Sequence, residues 1–172
     1  MYTKTEEAIH FIFQAYDGKK RIKEDIPLVF HSIAVGYMLI DLRCSEEIIL
    51  TGILHDVIED SKYTYEYLEQ NYGEKIANNV ELLTENRTIK HWHDRKNEFL
   101  ERMKTVDEDI LLVELADKLH NLLSDYELYK KIGNKALVTV NASYKEHQWF
   151  YLELKKLFKE RLKPNTLLTK YE

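Results

Sequence analysis

The segment TGILHDVIEDS, Thr51 to Ser61, sets His55 and Asp56 side by side and follows them with Glu59 and Asp60. On a continuous helix His55 and Glu59 share one face and Asp56 and Asp60 another, because residues four apart stack while neighbours diverge by about 100°. The flanking Ile48, Ile49, Leu50, Ile53, Leu54, Val57 and Ile58 are apolar nearly all the way round, the pattern of a helix buried in a core. Acidic and imidazole groups carried into a core need partners, since an unpaired buried charge is costly. A bound metal ion serves all of them at once.

The rest of the chain supplies a helical setting for this stretch. Its 172 residues suit one domain, 1–172, large enough to bury a core without disulfides or a structural metal. Five Gly, two Pro, no long Val/Thr alternation and 32% charged residues favour an all-α bundle over a sheet. The lone Cys44 excludes an internal disulfide framework and multi-cysteine zinc motifs, and suits a reducing cytoplasm. No stretch approaches the roughly 20 apolar residues of a membrane helix, and the N-terminal MYTKTEEAIHFIF has no basic run leading into a long apolar one. The reading is a soluble, cytoplasmic protein with no membrane partner. A net charge of −5 and a pI near 5.8 argue against a nucleic-acid partner, for which a basic stripe is expected. A small anionic ligand held by a few local cations is compatible with both.

Thr3 or Thr5 caps a first helix carrying Ala8, Ile9, Ile12, Phe13 and Tyr16, and Gly18 stops it. The basic connection KKRIKED follows. Such runs are usually just solvated, but Lys19, Lys20, Arg21 or Lys23 could meet phosphate at the mouth of a pocket, with Arg21 suited to bidentate contact or stacking. Pro27 suits the first turn of a second helix, Leu28 to about Leu42, whose Val35, Leu39 and Leu42 share a face with His31 and point it inward. Ser45 caps the central helix. A short helix from Tyr65 to about Tyr72 ends at Gly73, and Ile76, Ala77, Val80, Leu82 and Leu83 continue the core. His91 and His93 diverge on a helix and read as surface residues, while Arg95 and Lys96 form a second cationic pair.

From Asp107 or Asp109 to Gly133, the run DILLVELADKLHNLLSDYELYKK puts Leu112, Leu115, Ala116, Leu119, Leu122 and Leu123 on a core stripe. Asp117, Asn121 and Ser124 share a neighbouring face, and His120 reads as a supporting or exposed residue. A last helix from about Asn134 to Lys163 turns Leu137, Val140, Tyr144, Tyr151, Leu154 and Phe158 inward, and Pro164 ends it ahead of a frayed tail.

His31, the His55–Asp56 pair and Asp117 can therefore converge from three helices. Two imidazoles and two carboxylates make a mixed site suited to Mn²⁺, Fe²⁺ or Zn²⁺ more than to Mg²⁺ or Ca²⁺, which prefer all-oxygen shells. This ordered H…HD…D pattern resembles the HD-domain metal-dependent phosphohydrolases. LHDVIEDS followed by ELADKLHNLLS resembles, more narrowly, the hydrolase domain of the Rel/SpoT family, over roughly Thr3 to Asp125. The resemblance implies a single all-α bundle of the HD-domain type, with core motifs in 18–125 and a C-terminal packing helix at about 134–163. It also implies Mn²⁺-dependent removal of the 3′-pyrophosphate from (p)ppGpp. With no room for a synthetase domain, the chain resembles a stand-alone small alarmone hydrolase.

Carried over residue by residue, the resemblance implies that His31, His55, Asp56 and Asp117 bind the metal and that Glu59 and Asp60 act on the attacking water. It further implies that Arg21 contacts the guanine, that Asn121 and Ser124 hold the nucleoside or its phosphates, and that Arg95 and Lys96 lie near the phosphates. Two departures fall where the base is recognised. PLVFHS lacks the Tyr and the second Pro of the family's PYxxHP, and KKRIKED replaces a Gly-containing RKSGEP-like segment. Two alternatives therefore stand beside the first reading: the same chemistry on a nucleoside monophosphate or the 2′-phosphate of NADPH, and a metal-stabilised module that binds a nucleotide without turning it over. Nothing in the residues specifies an oligomeric state.

Overall fold

Thr3 opens the first helix through a reciprocal cap. Its hydroxyl accepts the Glu6 N–H at 3.2 Å, and the Glu6 carboxylate accepts the Thr3 N–H at 2.7 Å. The computed structural model describes residues 3–22, 25–137 and 142–172. Along them run α1 (Lys4–Ala15), α2 (Val29–Asp41), α3 (Glu46–Leu54), α4 (Val57–Asp60), α5 (Tyr65–Tyr72), α6 (Glu74–Leu83), α7 (Trp92–Met103) and α8 (Glu108–Ile132). A 3₁₀ turn (Gly133–Leu137), α9 (Tyr144–Arg161) and α10 (Thr166–Tyr171) complete the order. No strand occurs among the described residues; the sole sheet-like feature there is an isolated antiparallel bridge between Lys20 and Pro27. The all-α expectation is met.

Two apolar clusters flank α3. One joins α1, α5 and α6 through Phe11, Ile12, Leu68 and Val80 to Leu50, Ile53 and Leu54 of α3. The other gathers α7, α8, α9 and α10 around Val35 and Leu39 of α2 and Ile48 of α3. The helices α2 and α3 cross on glycine. A Cβ at Gly36 would stand 2.6 Å from Ile53 Cγ1, and one at Gly52 would stand 2.3 Å from Leu39 Cδ1. That close approach sets α2, bearing His31, against the end of α3, bearing His55.

Several local expectations change. The central helix is not continuous: α3 ends at Leu54, His55 caps it, and Asp56, at φ −92° and ψ 1°, precedes a separate turn. Pro27 lies before α2, in the bridge with Lys20, so the helix begins at Val29 rather than Leu28. The last helix does not start near Asn134. A 3₁₀ turn occupies Gly133–Leu137, and Ser143 caps α9 by accepting the Glu146 N–H, with Glu146 reciprocating. Tyr144, in the first turn after that cap, is half exposed rather than inward. The segment after Pro164 is not frayed, because Asn165 caps α10 and Leu167, Leu168 and Tyr171 are buried. Leu123 lies outward on α8. Lys23 and Val140 lie outside the described residues, as does the side chain of Leu137.

Candidate metal centre

The interruption after Leu54 aims two adjacent side chains at one point. His55 Nε2 and His31 Nε2 face each other at 3.3 Å. Asp117 Oδ1, from the middle of α8, stands 3.0 Å from His31 Nε2 and 3.8 Å from His55 Nε2. Asp56 Oδ2 stands 3.2 Å from His55 Nε2 and 3.6 Å from His31 Nε2. Ligand atoms bound to one ion at 2.0–2.2 Å stand about 3 to 3.5 Å apart; His31, His55 and Asp117 are grouped closely enough to hold one ion, and Asp56 stands beside the two imidazoles. His31, His55 and Asp117 are buried, and Asp56 is partly so.

The outer partners fit the same role. The Gly52 carbonyl accepts from His55 Nδ1 at 2.8 Å, which puts the proton on Nδ1 and leaves the Nε2 lone pair for a cation. His120 Nδ1 meets His31 Nδ1 at 2.7 Å, making His120 the supporting residue of its helix. Lys118 Nζ donates to Asp117 Oδ2 at 2.5 Å, and Asn121 Nδ2 donates to Asp117 Oδ1 at 2.6 Å. Charge tells the same story. Burial alone would lower the His55 pKa, yet the charges of Asp56 and Asp117 push it up to about 9. Burial would raise Asp117, but Lys118 and the two imidazoles hold it well below the usual carboxylate range. The cage calls for positive charge, and a divalent cation is a compatible occupant.

The cage lies in a cavity of about 560 Å³ whose lining includes Lys19, Lys20, Arg21, Glu59, Asp60 and Asn121. Both oxygens of Glu59 are held, one by Arg87 at 2.8 Å and one by the Glu85 backbone N–H at 3.2 Å. Burial together with the Asp56 and Glu59 charges raises the Asp60 pKa to about 6. The backbone keeps the Asp56–Asp60 step, since the Asp60 N–H donates to the Asp56 carbonyl at 2.7 Å. The helix break removes the shared helical faces expected of His55 with Glu59. Arg21 is tied to the site from the other side, donating to Asn121 Oδ1 at 2.9 Å.

Three expected substrate contacts stand apart from the cavity lining. Ser124 is partly buried on α8 one turn past Asn121 and is not among the lining residues. Arg95 and Lys96 converge on Glu85 instead, Arg95 Nε at 2.8 Å and Lys96 through Nζ, and it is Glu85 that reaches the cavity wall. Lys96 also lies over the Phe150 ring at 4.4 Å. Sequence reasoning did not place Glu85, Arg87, Glu114, Lys118, His147 or Tyr151 at the site, though it turned Tyr151 inward. Glu114 and Lys118 carried a signal, because charges one or three residues from Asp117 in an apolar run need buried partners; Glu85 and Arg87, in an irregular loop, carried none.

Comparison with known proteins agrees with this geometry. The family model described as the HD domain matches residues 8–137. The chain is 30% identical over 126 residues to the guanosine-3′,5′-bis(diphosphate) 3′-pyrophosphohydrolase of Aquifex aeolicus, covering 70% of the chain and 18% of that protein. It is 31% identical over 114 residues to the bifunctional (p)ppGpp synthase/hydrolase SpoT of Escherichia coli K12, covering 63% and 16%. The chain thus spans less than a fifth of either relative. Among solved structures, lmo0812 of Listeria monocytogenes superposes with a TM-score of 0.72 at 26% identity, over 82% of this chain and 88% of that one. A metazoan orthologue of SpoT, described as hydrolysing ppGpp, shares the fold with a TM-score of 0.67 at 23% identity, over 93% and 96%. With its two histidines and two aspartates gathered at one point inside the matched segment, the chain belongs to the HD-domain family.

Proposed function

We propose that the chain removes the 3′-pyrophosphate of (p)ppGpp by hydrolysis, with Mn²⁺ as the ion and Fe²⁺ or Zn²⁺ as substitutes. One observation carries the reading: the His31–His55–Asp56–Asp117 cage opens into the same cavity as the Glu59–Asp60 pair and the cationic segment Lys19–Arg21. The names of the relatives supply the substrate class. When bound, a divalent ion lowers the pKa of water from about 15.7 towards 7 and offsets phosphate charge. Glu59, fixed by Arg87 and the Glu85 N–H, orients the attacking water, and with Asp60 it takes up the proton, a role typically worth about 10²- to 10⁴-fold. Arg21, braced on Asn121, faces the base, and Lys19 and Lys20 offset phosphate charge at the mouth.

The test is incubation of the Mn²⁺-loaded protein with ppGpp beside a nucleotide panel, with products identified by mass. Pyrophosphate and GDP are expected from ppGpp. Intact ppGpp alongside cleavage of another nucleotide rejects the reading. A second reading, the same chemistry on a nucleoside monophosphate or the 2′-phosphate of NADPH, is favoured by the altered segment KKRIKED before His31, whose Lys19, Lys20 and Arg21 line the cavity. The same panel decides it.

A further inference from the structure

We propose that Lys118 is a phosphate-binding residue, its ammonium taking one oxygen of the substrate phosphoryl group beside the metal cage. The inference rests on the reading that the cavity receives a phosphorylated nucleotide. Lys118 Nζ lies 2.5 Å from Asp117 Oδ2, while Oδ1 of the same carboxylate faces the two imidazoles. The side chain is 15% exposed and lines the cavity. A phosphoryl group spans its oxygens much as a carboxylate does. One oxygen drawn to the cage therefore leaves another within reach of the ammonium that braces Asp117.

The ammonium has donors to give. Of its three, one is committed to Asp117. The approach to Glu114 Oε1 is 3.4 Å, longer than an ordinary N–H···O bond of about 2.7–3.2 Å. That Glu114 oxygen is fully buried and has no hydrogen-bond partner among the described residues. Stability does not explain the cluster, because a desolvated ammonium between two carboxylates returns little more than apolar side chains of the same shape. Lys19 and Arg21 reach the cavity from its mouth, where they also hold the Asp60 carbonyl and Asn121, while Arg95 and Lys96 are turned to Glu85. Lys118 is the buried cation that stands next to a ligand of the cage, where low dielectric strengthens its pull on an anion.

The test titrates the Mn²⁺-loaded full chain with inorganic phosphate, with metal content measured on the same samples. Lys118→Met leaves Glu114 buried without its cation, so a Lys118→Met/Glu114→Gln double variant repeats the measurement with a neutral pair. Phosphate affinity is expected to fall about tenfold or more in both variants, with one metal per chain retained at saturating Mn²⁺, and Lys118→Arg is expected to bind within a few-fold of the unsubstituted protein. Unchanged phosphate affinity in the folded, metal-loaded double variant overturns the proposal. So does absence of phosphate binding by the unsubstituted protein, or loss of metal from the variants, which would make Lys118 a positioning residue for Asp117. Failure of the (p)ppGpp reading is a separate result: no hydrolysis by protein that still binds phosphate through Lys118.

Discussion

Replacing Gly52 by alanine should loosen the cage without removing any of its ligands. The new Cβ would stand 2.3 Å from Leu39 Cδ1 and 3.3 Å from Val35 Cγ1, both in fully buried side chains. Carbon atoms pack at about 3.5–4.0 Å, so α2 and α3 must separate by roughly an ångström or Leu39 must leave its packed position. Overpacking of this kind costs up to about 3 kcal/mol, and the gain in helix propensity from Gly to Ala returns about 1. The remaining ~2 kcal/mol corresponds to a fall in Tm of about 4–8 °C for a chain of this size. The Gly52 carbonyl also holds His55 Nδ1 at 2.8 Å; the substitution keeps that carbonyl but shifts the helix that carries it, so metal affinity should weaken as well. Thermal unfolding and a chelator-competition titration measure the two effects. A double-mutant cycle with Leu39→Ala isolates the clash, because truncating Leu39 should cost less in the Gly52→Ala background than in the unsubstituted protein. Unchanged Tm and unchanged metal affinity in Gly52→Ala would refute the reasoning.

His31→Ala and Asp117→Asn should each abolish stoichiometric metal binding, read by elemental analysis after dialysis; full retention would remove these residues from the ligand set. Glu59→Ala should keep its metal while losing about 10²-fold or more in turnover, and Arg87→Ala should lose a smaller part of the same rate, since Arg87 fixes one Glu59 oxygen. Glu85 links stability to acid. Burial opposes its charge, but Lys96 and Arg95 hold its folded pKa below the ordinary 4.5. The unfolded chain therefore binds more protons below about pH 4.5, and the stability gained from this carboxylate is full above that pH and is lost as pH falls through the folded value. Denaturant titrations from pH 6 to 3 should show this slope, and Glu85→Gln, less stable at neutral pH, should lack its share of it. Deleting residues 164–172 should cost about 5 kcal/mol, because Leu167, Leu168 and Tyr171 leave the core; an unchanged urea midpoint would contradict that packing.

The cage residues were legible because their chemistry is unusual in apolar helices. His31, the His55–Asp56 pair and Asp117 each needed a partner, and one point in space supplies it for all. The helix boundaries near caps were legible for the same local reasons, as at Thr3, Ser45 and Gly73. What the chain did not disclose depends on tertiary contact. The break after Leu54 leaves no mark in local propensity, since His and Asp are ordinary helix residues. It arises where His55 turns to meet His31. Arg95 and Lys96 looked like free cations because their carboxylate, Glu85, is about ten residues away in an irregular loop. The short α10 is held by burial of three side chains and not by its length, which is below what a helix sustains alone.

The meeting of α2, the 55–56 corner and the middle of α8 at one point has a consequence for how the molecule holds together. An ion bound there is a crosslink among three distant stretches of chain, and it exists only while they are folded. By mass action, free ion at 100 times its Kd would add about 2.7 kcal/mol to the work of unfolding. Chelation of an ion held there should therefore make the whole chain easier to cleave with protease, an effect on stability separate from any effect on turnover.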